Sequence, residues 1–259
     1  MMRLLKIELL KLIPYRTFKV LFAIYLFLLV GILLAADNFF GGLGAPQEQV
    51  LQFPNIWNYY TLCANYFNII LGIIIIFITC NEITYRTLRQ NVIDGLTRTE
   101  VVLAKMYLIL FLAILLTVFI LISGLIAGTI NGTIPGGSGF SDHIEFLFAY
   151  FIQSLGVMSL SLLMANIFKR SALAIIIFLI FLFPVDVILR ESLLPKGSGD
   201  YLPVATYFLK LVPAPGNHIL SHGEEPTQDM PTALSLLVGT GYMILFFAIN
   251  WWVIKKRDL

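Results

Sequence analysis

GIIIIFITC, residues 72–80, and VVLAKMYLILFLAILL, residues 101–116, enclose the polar stretch NEITYRTLRQNVIDGLTRTE, residues 81–100. Both flanks belong to apolar runs long enough to cross a bilayer. The stretch between them carries three arginines (Arg86, Arg89 and Arg98) and three carboxylates (Glu82, Asp94 and Glu100). A plain connector between two spans needs only a few residues, so this insertion reads as a structural part of its own.

The rest of the chain fixes the class. Of 259 residues, 59% are hydrophobic and 12% charged, against about 25% charged in soluble domains. A hydrocarbon core of about 30 Å takes about 20 apolar residues as a helix. Six runs satisfy this: 17–36, 60–80, 106–128, 144–167, 172–189 and 233–254. Backbone groups must be satisfied internally in lipid, which makes these runs helices. The expected fold is all-α, a single polytopic membrane domain over 1–259.

Fourteen of the seventeen Lys and Arg residues fall on one side of that topology. They lie in the N-terminal segment up to Lys19, in 81–105, at Lys169 and Arg170, and in the tail Lys255, Lys256 and Arg257. The positive-inside rule therefore puts both termini and the 81–100 stretch in the cytoplasm. The opposite side holds loops 37–59 and 129–143 and the long outer segment 190–231. Within that segment YLPVATYFLKLVP, residues 201–213, is placed in or dipping into the outer interface. Pro184 predicts a kink near the outer end of the fifth span, beside an Asp186–Arg190 pair.

Residues 1–16 read as an interfacial helix. Met1, Leu5, Leu9 and Leu12 share a charge-free face, with Arg3, Lys6, Glu8 and Lys11 spread over the other side. In the polar stretch, Thr97 and Glu100 have the spacing of a capping box and start the third span. Asp94-Gly95 ends a short helix that includes Thr84 to Ile93. Arg86, Arg89 and Gln90 form its polar face, and Leu88 and Val92 lie one turn apart on another.

Glu82, then Thr87-Leu88-Arg89, then Arg98 and Lys105, is similar to the loop between the second and third spans of the permease subunits of type-2 ABC exporters. Arg86 and DGLTR stand where many members carry Gly and Pro. The N-terminal helix, six spans and long last outer segment match that family's layout. The resemblance implies that Glu82, Arg86, Thr87, Leu88, Arg89, Asp94 and Arg98 contact an ABC ATPase subunit through a coupling helix. It also implies a second permease copy or paralogue, export, and a bacterial cytoplasmic membrane.

The chain has no G-x-x-x-x-G-K-[ST] phosphate loop, so ATP and Mg belong to the partner, with no cofactor, metal or catalytic residue expected here. Membrane lipids are partners; nucleic acid is not. The other reading of the same features is a non-transporting membrane scaffold that anchors a cytoplasmic partner.

Weaker signals resolve toward structure. Ser138 in GGSG sits among loop glycines rather than opposite a membrane histidine. His218 and His222 lack further ligands. Cys63 and Cys80 lie about 25 Å apart on a helix, too far to bridge. Asn65, Asn68, Gln153 and Ser154, with Ser159, Ser161 and Asn166, face protein or a cavity, because polar groups facing lipid are costly. They either hydrogen-bond between helices or line a substrate route. Gly124-x-x-x-Gly128 and Ser235-x-x-x-Gly239 permit close helix approach.

Overall fold

The computed structural model describes residues 2–12, 14–42, 51–85, 87–93, 95–131, 143–185, 188–189, 201–212 and 232–256. Among these the regular structure is entirely helical. The helices are α1 (Met2–Leu12), α2 (Arg16–Leu34), α3 (Ala36–Gly42), α4 (Ile56–Thr84), α5 (Thr87–Ile93), α6 (Arg98–Ile130), α7 (Glu145–Phe168), α8 (Ser171–Ile180), α9 (Pro203–Ala205) and α10 (Ala233–Lys255). Five of them, α2, α4, α6, α7 and α10, are apolar and long enough to cross a membrane. The protein is a multi-pass helical membrane protein.

α7 is the axis of the bundle. In its most apolar window 89% of residues are buried, against 67% in α4, 33% in α6, 22% in α10 and 17% in α2. α4 and α10 flank α7, α6 leans on both α4 and α7, and α2 packs against α4. The outward faces of α2 and α10 stay apolar, with Phe27, Leu34, Leu237 and Ile244 exposed, as a lipid-facing surface requires. α4 and α6 contain 29 and 33 residues, about 43 and 50 Å, so both outrun the hydrocarbon core or tilt within it.

Lipid offers apolar side chains as good a home as another helix does, so the polar residues of α7 fix its register. Gln153 Nε2 donates to Asn65 Oδ1, and Asn65 Nδ2 donates to the carbonyl of Phe208 at 3.3 Å. Tyr150 and Ser154 both donate to Asn68 Oδ1 at 3.3 Å. On the other flank Asn166 donates to Asn250 Oδ1 at 2.9 Å, and Asn250 Nδ2 reaches the Ser159 carbonyl at 3.1 Å. Asn250 is the lone amide in the apolar last helix, and that isolation is the signal by which sequence reading could have found it.

Several expectations need correction. Residues 37–42, expected in an outer loop, belong to α3, whose Phe39 N–H bonds the Ala35 carbonyl at 2.8 Å. Within the expected span 172–189 the described residues form the ten-residue α8 and then, at the predicted Pro184 kink, a π-helical turn, Phe181–Val185. Pro184 has no N–H to donate, so regular α-helical bonding fails there and the wider turn takes over. Thr84 ends α4, and the short helix starts only at Thr87. Within this chain Gly124 and Gly128 face aromatic rings instead of another helix backbone. A Cβ on either would lie 2.7 Å from the Trp57 ring or 2.6 Å from the Phe53 ring, so both glycines seat aromatic rings of this same chain.

The segment YLPVATYFLKLV does enter the bundle. α9 runs into a π-helical turn, Thr206–Lys210, with Tyr207, Leu211 and Val212 buried. Tyr207 Oη donates to the Gly239 carbonyl of α10 at 2.8 Å. Ser138, Asp186, Arg190, His218 and His222 lie outside the described residues.

Candidate functional site

At one end of the bundle four elements meet: α1, the end of α4, all of α5 and the start of α6. Two local devices shape the turn between α5 and α6. Gly95 adopts φ +99°, and the Leu96 N–H bonds the Asn91 carbonyl at 3.0 Å, the six-to-one bond that closes a Schellman motif. Directly after it, Thr97 Oγ1 accepts from the Glu100 N–H at 3.3 Å while the Glu100 carboxylate accepts from the Thr97 N–H at 2.8 Å. This is the capping box read from the sequence. A Gly95→Ala variant, forced into left-handed backbone with no steric contact to relieve, is expected to lose about 1 kcal/mol. Its thermal midpoint in detergent, compared with Gly31→Ala in mid-helix, provides the check.

Lys105 is the hub. It lies two turns into α6, on the buried stripe of Val101, Leu108 and Leu112, with a side chain 4% exposed. Its Nζ reaches Glu8 Oε2 of α1 at 2.5 Å and also pairs with Glu82 Oε1 of α4. Glu8 binds Lys11 at 2.9 Å through its other oxygen. Two carboxylates and two ammonium groups thus form a neutral tetrad that pins α1 to α4 and α6. Burying these charges is tolerable only because each is paired.

This corrects the expected amphipathic layout of α1: Glu8 is buried, 2% exposed, while Arg3, Lys6 and Leu10 are exposed. It also moves Lys105 from a loop cation to a buried partner.

Burial works against the Glu8 carboxylate, but the charges of Lys105 and Lys11 outweigh it and hold its carboxyl below the ordinary 4.5. A depressed carboxyl pKa contributes stability that is complete above about 4.5 and fades as pH falls through the lower folded value. Acidification below about pH 4.5 is therefore expected to loosen α1, and Glu8→Gln to flatten that acid limb. Thermal midpoints of both proteins in detergent across the acid range test this.

A cleft of about 390 Å³ opens between α1, the end of α4 and α5. Leu12, Tyr15, Ile78 and Tyr85 make its walls largely apolar, and Asn81 and Glu82 add polar groups. Asn81 Nδ2 donates to Tyr15 Oη. Glu82 Oε2 is buried with no hydrogen-bond partner among the described residues.

The sequence-derived site residues divide accordingly. Thr87 opens α5 and donates to the Glu82 carbonyl at 3.1 Å. Leu88 and Arg89 belong to the backbone of α5. Arg98 opens α6 and donates from Nη1 to the Lys255 carbonyl at the end of α10, at 3.1 Å. Arg86 and Asp94 lie outside the described residues. Asn65, Asn68, Gln153 and Ser154 form the separate α4–α7 seam. Sequence reasoning missed Glu8 and the hub role of Lys105. The available signal was a lysine at helical spacing within an apolar stripe, which cannot remain charged there alone.

A family profile matches residues 38–259, from within α3 to the C-terminal residue. The chain belongs to the DUF2705 family. DUF2705 is described as a protein of unknown function. A search of curated proteins found no match. The DUF2705 match contains Glu82, Lys105, the cleft side of α4 and α5, and the whole amide seam. Glu8 and Lys11 come from α1, ahead of it.

Proposed function

We propose that this chain is the membrane-spanning subunit of an ATP-driven type-2 ABC exporter in a bacterial cytoplasmic membrane. The end carrying α1, α5 and the end of α10 faces the cytoplasm, so both termini lie there. α8 with its π-helical turn belongs to a sixth span, and α1 lies along the membrane surface. α5 is the coupling helix that meets a separate ATPase, which brings ATP and Mg. A second permease copy or paralogue completes the transporter.

The observation that carries this reading is the mechanical continuity around Lys105. α5 hangs between α4 and α6 on short turns, and Lys105 ties those two long helices to each other and to α1. A push on α5 therefore moves two spans as one block instead of being absorbed by a loose connector. Glu82 lines the cleft beside α5 and retains a buried carboxylate oxygen without a partner among the described residues. Glu82 also holds Lys105, so reversing its charge disturbs the fold. Arg89 is the cleaner probe.

Gentle affinity purification of the full chain from native membranes, with mass spectrometry and an ATPase assay, tests the proposal. A phosphate-loop ATPase is expected to co-purify, and Arg89→Glu is expected to reduce its recovery about tenfold while leaving the thermal midpoint unchanged. A stable assembly containing no ATPase would replace this reading with that of a membrane scaffold holding a cytoplasmic partner.

A further inference from the structure

We infer that the corner where α10 ends against the start of α6 is a binding site for the phosphate of an anionic phospholipid. It is built by two segments far apart in sequence. The Arg98 guanidinium holds the Lys255 carbonyl at 3.1 Å, drawing the C-terminus of α10 onto the N-terminus of α6. Lys255 Nζ lies 4.6 Å from the centroid of the Trp251 ring, and Lys256 Nζ lies 4.2 Å from that of Trp252. Arg98, Lys255 and Lys256 are all exposed.

Among the described residues the acid at this corner is Glu100, whose Oε2 accepts from the Thr97 N–H and hydroxyl in the capping box. Three cations, Arg98, Lys255 and Lys256, against that one carboxylate leave the corner positively charged among the described residues.

Its depth in the membrane identifies the ligand. Trp251 and Trp252 are 39% and 53% exposed at the end of an apolar crossing helix, the position where indole rings sit at headgroup level. Stacking on those rings keeps the two ammonium groups close to the protein wall, at the height of lipid phosphates. A soluble anion would have no use for the two flanking indoles, whereas a phospholipid presents acyl chain to the rings and phosphate to the cations. The inference requires only that α10 crosses the membrane. It is independent of the transport reading.

The test uses the full chain carrying Trp57→Phe, so that fluorescence comes from Trp251 and Trp252. The protein is reconstituted in phosphatidylcholine vesicles containing brominated phosphatidylglycerol or brominated phosphatidylcholine. Brominated phosphatidylglycerol is expected to reach half-quenching at an about tenfold lower mole fraction, since each membrane-surface cation contributes about a factor of five before salt screening. Lys255→Gln with Lys256→Gln is expected to bring the two lipids to parity, and Lys255→Arg with Lys256→Arg to retain the preference. Equal quenching by both lipids in the starting protein would overturn the site. So would a preference that survives the glutamine pair, or one that soluble glycerol phosphate abolishes, which would indicate a free anion.

Discussion

Lys105→Met is expected to cost about 3–5 kcal/mol, more than any other single change at the α5 end of the bundle, because it leaves the carboxylates of Glu8 and Glu82 buried without their shared cation. The lost attraction is the smaller part of the effect. The larger part is the desolvation of two negative charges, of which Glu82 loses its cation and Glu8 keeps only the half-buried Lys11. α1 should then leave its seat, since Glu8 can regain water only by moving outward.

Thermal unfolding in detergent gives the magnitude, and limited proteolysis ahead of α2 reports the release of α1. The triple variant Glu8→Gln, Glu82→Gln, Lys105→Met should recover most of the loss, because removing all the charges together removes the desolvation cost as well. If the triple variant is no more stable than Lys105→Met alone, the tetrad is not what holds this end together.

Gly156→Ala is expected to be the second large effect, although it adds a single methyl group. An added Cβ at residue 156 would stand 2.0 Å from Tyr207 Cζ and 2.3 Å from its Oη. Tyr207 is 1% exposed and its hydroxyl is committed to the Gly239 carbonyl, so the ring has no open direction in which to yield. The segment carrying α9 and its π-helical turn must lift from α7.

A cost of about 3 kcal/mol or more is expected, at the upper end for overpacking. Tyr207→Phe, which removes one buried hydrogen bond and leaves the ring, should cost about 1 kcal/mol. Tyr207→Leu in the Gly156→Ala background should cost less than the two single changes summed, since both act on the same contact. Additive losses would mean that the ring does not sit on Gly156.

The class of fold was legible from composition and run length, because lipid forces backbone satisfaction within each crossing segment. The start of α6 was legible to the residue, and so was the turn at Gly95. A capping box and a left-handed glycine are local arrangements that neighbouring residues complete without help from the rest of the chain. The polar character of α7 was also legible, because hydroxyls and amides crowded into one apolar segment must find partners inside the protein.

The partners themselves were not legible. Nothing in residues 1–16 announces that Glu8 turns inward, because a glutamate at that spacing is equally at home on a solvated face. It is Lys105, almost a hundred positions later, that makes the buried position tolerable. Likewise Asn250 gains meaning only through Asn166 and Ser159, and Gly124 and Gly128 look like a helix-contact pattern until Trp57 and Phe53 occupy the space.

The sequence by itself determined that this is an all-helical membrane protein with a capped, polar insertion between two of its longest helices, since helix formation, capping and insertion into lipid depend on residues a few positions apart. Only the tertiary structure decided that Lys105 binds three helices into one block, that Tyr207 fills the notch at Gly156, and that Arg98 joins the two basic ends of α6 and α10. Ion pairs, ring seats and buried amides between helices depend on which faces meet in three dimensions, and in an almost uniformly apolar chain the one-dimensional pattern leaves that choice open.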